Sequence, residues 1–143
     1  MRLTTQTDFA LRTLMYLATF GGRATAADVA GLFDISTHHV AKVVNQLARL
    51  GYVRSIRGIG GGIELARSPE SIRLGEVIEA FEGNMNLLDC VSTEDVCVIE
   101  NFCKLKGVLA EAERVQREYL NGKTLDDVLP TKRRLSGVTR DST

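Results

Sequence analysis

The sequence lacks net charge, any apolar run able to cross a bilayer, and any histidine near its cysteines. Its 18 Lys+Arg balance 18 Asp+Glu, and taken whole that balance argues against a polyanionic partner. A membrane-spanning helix needs roughly 20 consecutive apolar residues, and no such run occurs. No leader-like segment is evident either. Met1-Arg2-Leu3-Thr4 passes straight into helical spacing, so a cytoplasmic location and no membrane association are expected. The only histidines, His38 and His39, are adjacent and far from every cysteine in the sequence. A cysteine nucleophile needs a base beside it, so an enzyme is not expected.

Cysteine is scarce, but it is clustered. Cys90, Cys97 and Cys103 fall within fourteen residues and are the chain's full complement. Disulfide pairing would leave one thiol over, and the expected compartment disfavours disulfides. Thiolates converging from one loop suit a soft metal or an iron–sulfur cluster. Structural zinc prefers cysteine pairs about two to four residues apart, whereas six and five residues intervene here. A thiol-redox switch without metal stays open, and would need an exposed thiol of low pKa.

The zero charge conceals segregation. Residues 1–67 carry eight Lys/Arg against four Asp/Glu, residues 68–103 one against eight, and residues 104–143 nine against six. A cationic first part can face phosphate while the acidic middle faces away.

Apolar content of 44% supports a true core, in one domain or in a small head with an arm. Leu11, Leu14, Met15, Leu17 and Ala18 predict a first helix over residues 5–20, capped by Thr5 or Thr7, with Asp8 in its first turn. Thr25 and Asp28 form a capping-box pattern before a short helix over residues 26–33, with Val29, Leu32 and Phe33 on its face. Asp34-Ile35 then turn the chain. Ser36 or Thr37 caps a third helix reaching about Leu50, with Val40, Val43, Val44, Leu47 and Leu50 as its buried stripe. Its opposite face carries Thr37, His38, Lys42, Asn45, Gln46 and Arg49, with His39 at the boundary. No acid stands among them. Two short helices joined by a tight turn, the second polar and basic on its free face, make a helix-turn-helix pattern; a three-helix core with a solvated face is the plainer alternative.

Residues 52–57 and 62–67 read as two strands around the glycine-rich tip Gly58-Ile-Gly-Gly-Gly62, with Ile63 and Leu65 inward. A hairpin directly after a recognition helix is a wing, from which Arg54 and Arg57 reach phosphate or a minor groove. Residues 68–71 read as linker. Leu74, Val77, Ile78 and Phe81 predict a fourth helix ending at Gly83, and residues 84–100 a loop. From about Asn101 to Asn121 a long helix carries the stripe Leu105, Val108, Leu109, Ala112, Val115 and Tyr119, which a second copy would bury. Thr124 opens a short segment over residues 125–129, and the tail from residue 130 reads as disordered.

These stretches resemble the Rrf-type winged-helix regulators. The likeness lies in Leu3-Thr-Thr…Asp8-Phe-Ala-Leu-Arg12, Ser36…Val40-Ala-Lys-Val-Val-Asn-Gln-Leu, Leu50-Gly-Tyr-Val…Arg57-Gly-Ile-Gly-Gly-Gly-Ile, Ile72-Arg-Leu-Gly-Glu-Val and Cys103-Lys-Leu-Lys. It covers residues 1–129, and within the family it is strongest to the nitric-oxide-sensitive repressors; other branches sense cluster supply or iron. The resemblance implies a mainly α fold with a small β-hairpin wing. Residues 1–83 would be the winged helix-turn-helix head, 84–103 the cluster-binding loop, 104–129 the dimerisation helix with a short helix, and 130–143 a disordered tail. It further implies a homodimer through residues 104–120, bound to double-stranded operator DNA and released by nitric oxide. The cofactor implied is an iron–sulfur cluster on Cys90, Cys97 and Cys103, 4Fe–4S or alternatively 2Fe–2S. The DNA-contacting residues would be Ser36, Thr37, His38, His39, Lys42, Asn45, Arg49, Arg54, Arg57, Gly58 and Gly60.

The fourth ligand separates the branches. Cluster-supply sensors of this type place a histidine three residues after the last cysteine, where this chain has Lys106. The nitric-oxide branch takes a carboxylate from the first helix of the other subunit, and Asp8 stands at the matching position. Asp89, Glu94, Asp95 and Glu100 are nearer in sequence. Asp8 also suits a helix start with no ligand role, its charge meeting the dipole.

Overall fold

The first helix starts where a hydroxyl can take up a free amide. In the computed structural model, which describes residues 2–83, 85–88 and 97–138, that hydroxyl belongs to Thr4. Its side chain accepts from the Thr7 amide and opens α1, Thr5–Phe20. The cap is therefore neither Thr5 nor Thr7. Thr7 is buried on the α1 face together with Ala10, Thr13, Leu14 and Leu17, while Leu11, Met15 and Ala18 pack at its margin.

The capping box forms as expected. The Thr25 hydroxyl accepts from the Asp28 amide at 3.1 Å, and the Asp28 carboxylate accepts from the Thr25 amide at 2.9 Å, opening α2, Ala26–Phe33. Val29 and Ala30 are its buried residues, with Leu32 and Phe33 only half-buried. Asp34 turns the chain in the left-handed region, φ 53°. Ser36 then caps α3, Thr37–Arg49, by accepting from the His39 amide.

Val40, Val43, Val44 and Leu47 are buried on α3, and each such side chain contributes roughly 1.5–3 kcal/mol by leaving water. Leu50 does not join them. It lies past the last turn and is 41% exposed, because the C-cap redirects the chain before the next turn of the stripe closes. Both α1 and α2 pack on α3, which fixes its polar face outward.

Strands β1, Val53–Ile56, and β2, Gly62–Leu65, pair antiparallel with Val53 opposite Leu65 and Ile56 opposite Gly62. Ala24 adds a further bridge, exchanging hydrogen bonds with Ile63 at 3.0 and 2.7 Å. The residues expected as a plain linker contain a 3-10 turn, Pro69–Ser71. Helix α4, Leu74–Glu82, follows, and the long helix α5 spans Lys104–Asn121. It begins three residues later than expected, after a separate 3-10 turn over Glu100–Phe102.

The chain then returns to the head. Leu125 donates its amide to the Ile72 carbonyl at 2.8 Å, and Leu74 donates to that of Lys123 at 2.9 Å. Leu125 is wholly buried in the head core. Where α4 meets the end of α5, Gly75 lies against Asn121, and a Cβ there would collide with that side chain. The tail is not disordered throughout. Residues Lys132–Ser136 form α6, capped by Thr131 and anchored by buried Leu135 near α1.

Candidate nucleic-acid interface and cysteine segment

The polar face of α3 is exposed along its length. Ser36, Thr37, His38, His39, Lys42, Asn45 and Arg49 all stand in solvent, and Gln46 is half-buried. The α3 macrodipole adds positive potential at its N-terminal end. His39 also touches α1, its ring 6.2 Å from that of Phe9. The start of α1 thus borders the recognition face. One residue there escaped the sequence reading: Gln6 lines a shallow cleft of about 280 Å3 with Lys42, Asn45, Gln46 and Arg49. Its only signal was an exposed polar amide in the first turn of α1.

The wing carries its arginines differently. Arg54 pairs with Glu64 across the strands, Nε to Oε1 at 3.0 Å, and Arg23 reaches the same carboxylate at 3.4 Å. Arg54 is thereby partly neutralised. Arg57 is exposed and has no ion-pair partner among the described residues. Gly58 and Gly60 lie at the tip, both exposed with positive φ.

Of the three cysteines, Cys90 lies outside the described residues, as do Asp89, Glu94 and Asp95. Cys97 is exposed, Cys103 is half-buried at the N-cap of α5, and both are free thiols. Glu100 is engaged by Lys106, whose ammonium pairs with its carboxylate. Glu113, buried on α5, accepts the amide of Leu87 just ahead of the cysteine segment.

Asp8 sits in the first turn of α1, paired with Arg12 one turn on at 2.9 Å. Among the described residues, no three His, Cys, Asp or Glu side chains converge. The described part of the chain therefore does not bring Asp8 together with Cys97 and Cys103.

Exposed apolar side chains run along α5: Leu105 at 56%, Val108 at 63%, Val115 at 51% and Tyr119 at 66%. Beside them opens a groove of about 1050 Å3, closed on its other wall by Leu3, Ile78, Met85 and Leu87. No described helix is long and apolar enough to cross a membrane.

This architecture has solved counterparts. CymR, described as the global cysteine regulator of B. subtilis, superposes with a TM-score of 0.73 at 25% identity, over 90% of this chain and 95% of that one. A putative transcriptional regulator from Listeria innocua gives 0.73 at 27% identity, over 99% and 91%. Sequence relatives are nearer. The HTH-type transcriptional regulator NsrR of Bacillus licheniformis is 40% identical over 132 residues, 90% of this chain and 92% of that protein. Its namesake in Bacillus subtilis strain 168 is 40% identical over 135 residues, 92% of each. A family model described as Rrf2, iron-dependent transcriptional regulator, matches residues 3–131. With head, wing and long helix all inside that match, the chain belongs to the Rrf2 family of transcriptional regulators.

Proposed function

We infer that this chain is an iron–sulfur-cluster repressor which holds operator DNA as a cytoplasmic homodimer and releases it when nitric oxide arrives. The observation that carries the reading is the cysteine trio in a chain 40% identical to regulators named NsrR. Cys90, Cys97 and Cys103 would hold the cluster, and Asp8 from the second copy would complete it. The donors suit it: soft thiols, with Cys97 and Cys103 free and the latter at a helix start. Lys106 occupies the position where a histidine would mark a cluster-supply sensor.

When bound, the cluster supplies an iron corner whose oxygen ligand yields to a small molecule more readily than a thiolate does. The chain's own residues do the rest. Asp8 would tie α1 to the second copy through the cluster, and its neighbour Phe9 lies against His39 of α3. Losing that tie would free α1, which packs on the recognition helix, and with it the fixed spacing of the two heads. A dimer must present two such helices roughly 34–36 Å apart to meet successive major grooves, so a small displacement abolishes specific binding. The exposed stripe of α5 and its adjoining groove fit the second copy.

A second reading has its own support. Cys97 is an exposed free thiol, and a structural counterpart is a cysteine regulator, so a metal-free thiol switch on the same fold is the alternative. Operator binding by anaerobic protein, followed as nitric oxide is added, tests the first reading. Release is expected; equal binding before and after overturns it.

A further inference from the structure

The tip of the wing holds a single side chain. Of Gly58-Ile-Gly-Gly-Gly62, only Ile59 extends beyond the backbone, and at 109% it is fully exposed. A solvated isoleucine contributes no burial to the head, and the turn closes without it. Gly58 and Gly60 take φ of 97° and 74°, and the Gly61 amide donates to the Gly58 carbonyl at 3.0 Å. A Cβ on Gly61 would collide with the Ile56 carbonyl oxygen. From outside, the Arg23 guanidinium donates to the Gly60 carbonyl at 3.1 Å and braces the tip against the head.

The result is a slim, braced projection with one apolar side chain at its end and Arg57 behind it. A lone exposed apolar residue ordinarily needs no account. Here its surroundings supply one. The minor groove of B-DNA is about 6 Å wide, narrow enough to admit a strand tip only where flanking side chains are missing. Minor-groove proteins insert apolar wedges between base steps, and pyrimidine–purine steps open most easily.

Resting on the reading of this chain as an operator-binding regulator, we propose that Ile59 is a specificity-determining residue. It is an apolar wedge that the wing sets into the minor groove, selecting an easily unstacked step apart from the bases faced by α3.

The test uses duplexes enriched from a random pool by the full-length protein purified without oxygen. Wild type, Ile59→Ser and Arg57→Ala are compared by fluorescence anisotropy at several salt concentrations, and Ile59→Ser is carried through its own enrichment. Ile59→Ser is expected to bind roughly tenfold more weakly, with an unchanged salt slope, because an apolar contact releases no counterions. Its enriched pool loses the pyrimidine–purine preference at the wing position, and its melting temperature equals that of wild type. Wild-type affinity and preference in Ile59→Ser overturn the wedge alone. A lowered melting temperature overturns the premise that Ile59 stands outside the fold. A wild-type protein that enriches no duplex overturns the operator-binding reading, and the wedge with it.

Discussion

The carboxylate of Glu82, in the last turn of α4, accepts the Thr7 hydroxyl of α1 at 2.6 Å. The same oxygen takes the Thr4 amide at 2.6 Å and the Thr4 hydroxyl at 3.0 Å. One acid thus ties the start of α1, a turn before Asp8, to the end of the helix that leads toward the cysteines. These bonds, with Thr7 first, hold the Glu82 carboxyl below its ordinary value of 4.5. A depressed carboxylate contributes stability that is present above its unfolded value and lost as pH falls through the folded one. Melting temperature followed from about pH 6 to about pH 3 is expected to fall less steeply in Glu82→Gln than in wild type. Superposable profiles would remove Glu82 from the acid response.

Arg57 and Arg54 are expected to differ despite standing on one hairpin. Arg57→Ala lowers the slope of log affinity against log salt by about one unit, as loss of a phosphate contact should. Arg54 is shared with Glu64 at 3.0 Å, so Arg54→Ala changes the slope less. Glu64→Gln frees Arg54, leaves Arg23 held at the Gly60 carbonyl, and removes a negative charge from the wing; affinity rises roughly two- to fivefold. Anisotropy titrations at graded salt read all three.

Asp8→Asn separates ligation from a plain first-turn role beside Arg12. The Asp8–Arg12 pair is partly exposed at i,i+4, so its loss costs at most about 0.5 kcal/mol of stability. If Asp8 is a ligand, the variant retains cysteine-bound cluster but reacts with nitric oxide at a different rate in stopped-flow absorbance. An unchanged rate confines Asp8 to the helix start.

Leu125 belongs to the head although it follows the long helix. Leu125→Ala empties a fully buried position and is expected to destabilise the fold by about 2–5 kcal/mol, read by chemical denaturation. A loss under about 1 kcal/mol would mean that the segment after α5 contributes little to the core.

What could be read in advance follows from where the deciding contacts lie. The stripe on α3 was legible because Val40, Val43, Val44 and Leu47 repeat with the helix and pack locally. Thr4 was missed as the cap because Thr4, Thr5 and Thr7 have the same propensity; Glu82, far along the chain, decides among them. The burial of Leu125 depends on its backbone pairing with Ile72, which no periodic pattern announces in so short a segment. Leu135 sits among Lys132, Arg133 and Arg134, so composition points to solvent while one side chain points inward. For the site, the exposed face of α3 was visible in the sequence, whereas the sharing of Glu64 by Arg54 and Arg23 required the hairpin's register. The proposed convergence of cysteines with Asp8 involves Cys90, outside the described residues, and a second copy.

The most direct test is the visible spectrum of anaerobic protein bound to labelled operator during a nitric oxide titration, run beside a variant with Cys90, Cys97 and Cys103 all changed to serine. Wild type should be brown, its absorbance bleaching in step with release of the operator, and the triple variant colourless and indifferent to nitric oxide. A triple variant that kept both its colour and its nitric-oxide-dependent release would contradict the account.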